Sequence, residues 1–299
     1  MFVVQIVNMA TLALGGLASI GVLVWLSRRG RWRNPLHGLS IPTGGPSIAG
    51  LALVVVAFLV ASTLVAHFLP AEAAIPPDPA AVPQPATLPD DASHGEPSPG
   101  SAAWHRRHAA DQACSLAVSA VMLVLLRRTR QKTGTAWRLR QKVGAALVGL
   151  LVAIPLTTLQ VEMGRVIWEW VHPGAPPPVH VVLEALARSA WGRWGVAQIL
   201  VGATVIAPAT EELFFRGVLL QVVCYHVRHA WAAIGFSAIA FGLAHAQPQD
   251  ILPLTSLGVI LGYLRLRSGA LWPCVLLHTL FNMRTLVFVL LAPELLTEH

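Results

Sequence analysis

One apolar stretch of the chain, residues 207–217, reads APATEELFFRG and carries two adjacent carboxylates and an arginine. Burying an ionised side chain at membrane depth costs free energy. Such side chains are therefore found mainly where they line a polar cavity, pair with one another or take part in chemistry. Glu212 and Arg216 share a helix face, and their order suits an ion pair. Glu211 is rotated by about 100° from Glu212 on a helix. The pattern predicts a supporting Glu212–Arg216 pair and a Glu211 side chain that is free to face a cavity.

Pro208 and Thr210 precede the carboxylates and are typical of a helix start. The surrounding apolar segment, about residues 194–228, is too long for one straight crossing, so we expect a kink or break at Pro208. If a half-helix begins there, its N-terminal dipole favours the ionised form of Glu211, whereas burial favours the neutral acid. A carboxylate under these opposed influences is suited to act as a general base.

Two further polar patterns lie in later apolar segments, Phe241-x-x-x-His245 and His278-x-x-x-Asn282. We expect Phe241 to fix the orientation of the His245 ring, and His278 and Asn282 to project from one helix face. Imidazole can transfer a proton, donate to an oxyanion or ligate a metal. An asparagine amide is a typical oxyanion donor but a poor zinc ligand. Together with a carboxylate that activates water, these groups suffice to hydrolyse a peptide bond.

The composition of the whole chain indicates a membrane protein. Of its 299 residues, 55% are hydrophobic and 12% are charged, and the mean hydropathy is +0.63. About a quarter of the residues in a soluble domain are charged, and several windows here approach the ~20 apolar residues that cross a bilayer. We predict an all-α polytopic membrane protein with about eight transmembrane helices and an active site in a cavity of the helical bundle.

The net charge of +7 raises the question of a nucleic-acid partner, and the distribution of the charge answers it. The basic residues lie in short clusters beside apolar segments, which is the positive-inside pattern of a membrane protein. We therefore predict a lipid bilayer as the surroundings and no nucleic-acid partner. The clusters are Arg28, Arg29, Arg31, Arg33, and then Arg127, Arg128, Arg130, Lys132, Arg138, Arg140, Lys142.

Composition breaks divide the chain into four predicted regions. Residues 1–70 form a transmembrane hairpin, and residues 71–103 a proline-rich flexible loop that cannot bury enough apolar surface to fold. Residues 104–178 form transmembrane helices that flank a basic cytoplasmic loop, and residues 179–299 form the catalytic core. With the basic clusters inside, the proline-rich loop and both termini lie outside. The sequence leaves open which membrane face the site opens to.

The three patterns resemble the motifs of the CPBP family, which comprises type II CAAX-prenyl endopeptidases and bacteriocin-processing and immunity-associated proteins. The resemblance covers roughly residues 195–292, with the motifs in the family's order and with its internal spacings. It implies an intramembrane endopeptidase in which Glu211 activates water, His245 assists it, and His278 and Asn282 bind the oxyanion. Glu212, Arg216 and Phe241 support these groups. The resemblance also implies a multi-pass protein of the bacterial inner membrane.

The resemblance leaves the use of a metal open, because members of the family have been labelled metalloproteases. We expect no cofactor, since an asparagine suits a metal-free glutamate mechanism, and keep zinc as the alternative. The chain contains no HExxH zinc motif. Its three scattered cysteines give neither a disulfide framework nor a CxxC metal motif.

Three functions remain in competition at this point. The first is an endopeptidase whose partner is a membrane-anchored or tail-bearing peptide or protein, cleaved during processing of a C-terminal tail, sorting signal or secreted peptide. The second is a non-catalytic membrane protein that binds a peptide or toxin, as in bacteriocin immunity. The third is an ion-coupled transporter with an intramembrane proton relay. Paired broken helices in repeated halves would favour the transporter, and residues 1–150 contain no second Glu-Glu pattern.

Overall fold

The computed structural model describes residues 12–22, 24, 46–68, 102–128, 137–175, 192–245 and 247–291. Every regular element in these ranges is helical, and none of them contains a strand. The predicted all-α class is therefore confirmed. Most of the predicted proline-rich loop, residues 71–101, lies outside the described residues, as does 129–136 in the predicted basic loop. The last two residues of the predicted proline-rich loop are helical.

The described ranges form eight helices, in agreement with the predicted number. Their bounds are Leu12–Val22 (α1), Ile48–Phe68 (α2), Ala102–Arg128 (α3), Leu139–Val171 (α4), 192–227 (α5), Ala230–Ala244 (α6), Pro248–Ser268 (α7) and Trp272–Leu291 (α8). Five of them, α2, α3, α4, α5 and α8, are long and apolar enough to cross a membrane. Helices α1 and α6 are apolar but shorter. The ends of α7 carry Asp250, Arg265 and Arg267, which lower its mean hydropathy.

Helix α5 does not begin at Pro208, so the expected half-helix start is wrong. The helix runs without interruption through α-helical Gly192–Val201, π-helical Gly202–Ile206, α-helical Ala207–Glu212, π-helical Leu213–Leu219 and α-helical Leu220–Val227. A proline inside a helix lacks one N–H and clashes with the preceding turn. The wider π-helical turn just before Pro208 accommodates that defect without ending the helix. No helix N-terminus therefore lies beside Glu211.

Helices α6 and α7 pack closely because glycines lie at their contact. A Cβ atom on Gly242 would lie 2.4 Å from Thr255 Oγ1, and one on Gly258 would lie 2.9 Å from the Cα of Ala238. Helix α4 packs against α7 and α8. These helices enclose an apolar core with α5 that includes Phe215, Phe241, Leu257, Leu261, Cys274 and Leu277. The close packing holds the end of α6 against α7, where His245 lies.

Helix α3, which precedes the segment that resembles a known family, also contacts α5. Gln112 Nε2 donates a hydrogen bond to the carbonyl oxygen of Gln198 at 3.1 Å. Further along the same pair of helices, the hydroxyls of Ser119 and Thr210 are 2.9 Å apart. Since Thr210 precedes Glu211, α3 supports the helix that carries the first polar pattern.

Candidate active site

Three helices bring one carboxylate and two imidazoles together. Glu211 lies on α5, His245 caps the C-terminal end of α6, and His278 lies in the first half of α8. Glu211 Oε2 is 3.9 Å from His245 Nε2 and 3.8 Å from His278 Nε2. These distances exceed a direct hydrogen bond and match the separation of two polar groups that one oxygen atom bridges. The Glu211 side chain is 28% exposed, whereas its Oε2 atom is buried and accepts no hydrogen bond among the described residues.

The orientation of His245 is set by the backbone of its own helix. Its Nδ1 donates a hydrogen bond to the carbonyl oxygen of Phe241 at 2.9 Å, since a carbonyl can only accept. The Phe241 ring also meets the His245 ring nearly edge-on, with centroids 4.9 Å apart. The proton on Nδ1 leaves Nε2 of the neutral imidazole as an acceptor that faces Glu211. The sequence pattern predicted the ring contact but not the role of the carbonyl.

Glu212 connects the ion pair on α5 to the histidine on α8. Its Oε1 accepts from Arg216 Nη1 at 2.9 Å and from His278 Nδ1 at 3.0 Å. Arg216 Nη2 also donates to the carbonyl of Gly258 on α7 at 3.3 Å, and its guanidinium carbon lies 4.5 Å from the Phe241 ring centroid. Glu212, Arg216 and His278 are all buried. The pair therefore orients His278, a role for Glu212 that the helical spacing did not predict.

Two consecutive carbonyl groups of α5 lose their helical donors next to Pro208. In an α-helix each carbonyl accepts from the N–H four residues later. The Thr204 carbonyl has no such donor, because Pro208 lacks an N–H. The Ala203 carbonyl loses its donor because the N–H of Ala207 donates to the carbonyl of Gly202 instead. An unsatisfied carbonyl buried in a protein costs free energy of folding. The irregular turn of α5 therefore needs donors from another helix.

Helix α8 supplies both donors. Thr279 Oγ1 donates to the Thr204 carbonyl at 2.7 Å, and Asn282 Nδ2 donates to the Ala203 carbonyl at 2.9 Å. Of the four predicted catalytic residues, Glu211, His245 and His278 lie together, whereas the described contact of Asn282 is with the α5 backbone. Thr279 was not among the predicted residues, and nothing in its local sequence marks it.

We expect Thr279→Val to destabilise the protein, because valine has the shape of threonine and no hydroxyl donor. The loss should be about 1–3 kcal/mol of unfolding free energy, the cost of a buried acceptor without a partner. Thermal unfolding of the purified protein in detergent measures it, and Thr279→Ser, which keeps the donor, is the matched control.

Pro208→Ala provides a second test, since alanine restores the N–H that can reach the Thr204 carbonyl. Thr279→Val should then cost less in the Pro208→Ala background, and the coupling energy of the double-mutant cycle should exceed about 0.5 kcal/mol. Additive effects would show that the hydroxyl does not compensate for the proline.

The types of side chain at the site suit zinc, but their donor atoms lie farther apart than the ligands of tetrahedral zinc. Two histidines and a glutamate form the ligand set of several catalytic zinc sites. No group of three His, Cys, Asp or Glu side chains in the described ranges is arranged to hold a metal ion. The donor atoms of Glu211, His245 and His278 are 3.8 and 3.9 Å apart, against about 3.4 Å around tetrahedral zinc with bonds of about 2.1 Å.

Comparison with known proteins confirms the predicted resemblance over the segment that holds the site. Residues 193–284 match the model of the family described as type II CAAX prenyl endopeptidase Rce1-like. This match includes all seven predicted site residues. It supports a CAAX-type membrane peptidase as the general class.

Two curated proteins resemble parts of the chain. The "Uncharacterized 24.3 kDa protein" of Escherichia coli is 39% identical over 80 residues, which are 25% of this chain and 36% of that protein. The "Putative membrane peptidase YdiL" of Bacillus subtilis (strain 168) is 23% identical over 87 residues, 29% of this chain and 35% of that protein. The chain thus spans about a third of the length of these relatives. No solved structure matches the chain.

Proposed function

We propose that the protein is an intramembrane endopeptidase that cleaves a peptide bond close to the membrane, in a C-terminal tail, a sorting signal or a peptide precursor. One observation carries the proposal. Glu211 Oε2 lies within 4 Å of the Nε2 atoms of two imidazoles, and an acceptor holds the Nδ1 atom of each. The family match over residues 193–284 supports the same reaction class. Both relatives are bacterial and one is named a membrane peptidase, so we propose the inner membrane of a bacterium as its location.

In the proposed reaction, Glu211 acts as the general base. Its carboxylate takes a proton from a water molecule while the water oxygen bonds to the carbonyl carbon of the peptide. His245 Nε2 accepts a hydrogen bond from the same water and orients it. Protonated Glu211 then gives its proton to the leaving nitrogen as the C–N bond breaks. The products are a carboxylic acid and an amine, and the carboxylate of Glu211 is regenerated.

His278 is placed to stabilise the tetrahedral intermediate. Its Nδ1 donates to Glu212, and a second proton on Nε2, which only the imidazolium form carries, would let the ring donate to the oxyanion as well. Asn282 has two amide N–H groups. One donates to Ala203, and the second remains for the oxyanion role that the family resemblance implies.

Terminal-peptide mass spectrometry of the native host tests this function. Membrane and secreted proteins are compared between wild type, a full deletion and Glu211→Gln at matched expression. We expect uncut tails or precursors to accumulate in both the deletion and the variant, and their sequences to identify the substrate. If Glu211→Gln matches wild type while the deletion has a phenotype, a peptide- or toxin-binding role replaces catalysis.

We also expect the reaction to proceed without a metal, because the Glu211, His245 and His278 donor atoms are not arranged to coordinate one. Cleavage of the identified substrate by purified protein should be unchanged after incubation with EDTA or 1,10-phenanthroline. Loss of activity that added Zn²⁺ restores would contradict this expectation and assign the three side chains to a zinc site.

A further inference from the structure

The surroundings of the site differ on its two sides along the bundle axis. Toward the start of α6, the site rests on the buried apolar core formed by residues such as Phe241, Leu257 and Leu277. The groups on that side are closed to solvent, since Glu212 is 0% exposed and the His278 side chain 3%. Toward the end of α6, the side chains of Glu211 and His245 are 28% and 23% exposed. The fully buried groups of the site therefore lie toward the apolar core, and its partly exposed groups lie toward the end of α6.

Helix α6 is too short to span the bilayer. Its 15 residues extend about 22 Å, against about 30 Å for the hydrocarbon core. Its first turn lies at an interface, where Arg228 and His229 precede it and the rings of Trp231 and Tyr263 stack. The end of α6 at His245 thus lies several ångströms below the opposite membrane surface, while α4 and α8 continue further.

Polar side chains follow immediately after this buried helix end. Gln247, Gln249 and Asp250 begin α7, and all three are half-buried. The Gln247 Oε1 atom is inaccessible and has no hydrogen-bond partner among the described residues. Polar groups and irregular backbone at membrane depth occur where they are enclosed in protein or line a water-filled cavity. Polar side chains therefore lie immediately beyond the helix end that carries His245.

Basic residues lie at the opposite end of the bundle. Helix α7 ends with Arg265 and Arg267 in its last turn, and the Arg267 guanidinium lies 5.9 Å from the Trp137 ring centroid at the start of α4. Arg140 follows on the first turn of α4 and is exposed. Basic residues concentrate on the cytoplasmic side of membrane proteins. This end is cytoplasmic, and the end of α6 faces away from the cytoplasm.

We infer that peptide and water reach Glu211 from the extracytoplasmic face, over the α6–α7 connection. The substrate class follows from this access, and that step rests on the proposed peptidase function. It is an exported protein whose cleavage site lies on the extracytoplasmic side of its membrane anchor. A prenylated CAAX terminus that stays on the cytoplasmic side would not meet the site.

Thiol labelling with a membrane-impermeant maleimide tests the access route. Single cysteines are introduced into the full chain at Gln249, beside the proposed entrance, and at Arg140 and Glu169, which are exposed at opposite ends of α4. The native Cys114, Cys224 and Cys274 are replaced by alanine. We expect Gln249→Cys and Glu169→Cys to be labelled in intact spheroplasts, and Arg140→Cys only after permeabilisation.

Every other pattern overturns the inference. Labelling of Gln249→Cys only after permeabilisation would place the entrance on the cytoplasmic side, and no labelling in either state would show that the entrance is closed to water. Labelling of Arg140→Cys in intact spheroplasts would reverse the orientation. If the cysteine-free protein does not fold, the same variants are compared in the native background, with the unmodified chain as baseline. Labelling needs no catalysis, so its outcome is independent of whether the protein cleaves peptides.

Discussion

Glu211→Gln is expected to remove cleavage activity and to leave the protein folded. Glutamine has the shape of glutamate but cannot take a proton from water, so kcat should fall by roughly 10²- to 10⁴-fold, the contribution of a positioned general base. Stability should change little. The Glu211 Oε2 atom accepts no hydrogen bond within the described part of the chain, and its distances to the two imidazoles exceed hydrogen-bond length.

The measurement uses purified protein in detergent and the peptide identified from the accumulating precursors. Initial rates and thermal unfolding are recorded for wild type and for Glu211→Gln. Glu162→Gln is the matched control, because Glu162 lies on another helix and is 59% exposed. An active Glu211→Gln protein would exclude Glu211 as the base, and a variant that fails to unfold cooperatively would make its carboxylate structural.

The helical spacing of the sequence was sufficient to predict contacts within one turn. Glu212 and Arg216 are i and i+4 on α5 and form the buried ion pair that this spacing favours. Phe241 and His245 are likewise i and i+4, and their rings meet. Such contacts depend only on the period of the helix, so the residues themselves determine them.

Contacts between helices could not be derived in this way. His278 Nδ1 meets Glu212, and Arg216 meets the Gly258 carbonyl, because α5, α7 and α8 pack side by side. Neither the order of these helices nor their rotation is encoded in a short motif. The sequence therefore predicted that Glu212 lies beside Arg216, but it could not predict that Glu212 also orients His278.

The predicted break in α5 at Pro208 was wrong for a different physical reason. Proline and threonine both favour the first positions of a helix, and the sequence contains no signal for the π-helical turn that keeps α5 continuous. Thr279 and Asn282 donate to the carbonyls that this turn leaves free and so stabilise it. The Thr204 carbonyl and the Thr279 hydroxyl that donates to it are about 75 residues apart in the chain. The sequence around Pro208 alone therefore predicts a break in α5, whereas the packing of α8 against it allows the helix to continue.

Arg216→Met is expected to cause the largest loss of stability among single substitutions at the site. It leaves the Glu212 carboxylate fully buried without its guanidinium, and removes the hydrogen bond to the Gly258 carbonyl. Removing one partner of a buried ion pair costs about 3–5 kcal/mol, because the other charge remains without compensation. The free energy of unfolding in a denaturing detergent titration measures the loss.

The double variant Glu212→Gln with Arg216→Met distinguishes a charge effect from a packing effect. Glutamine removes the uncompensated charge but keeps a side-chain oxygen that can accept from His278 Nδ1. We expect the double variant to recover part of the stability that Arg216→Met loses.

Arg165→Met is the matched control, because the Arg165 and Glu162 side chains are 37% and 59% exposed and 3.8 Å apart. An exposed pair of this kind contributes less than about 1 kcal/mol. A double variant no more stable than Arg216→Met would attribute the loss to the guanidinium's contacts with Phe241 and Gly258. The buried charge of Glu212 would then not be its cause.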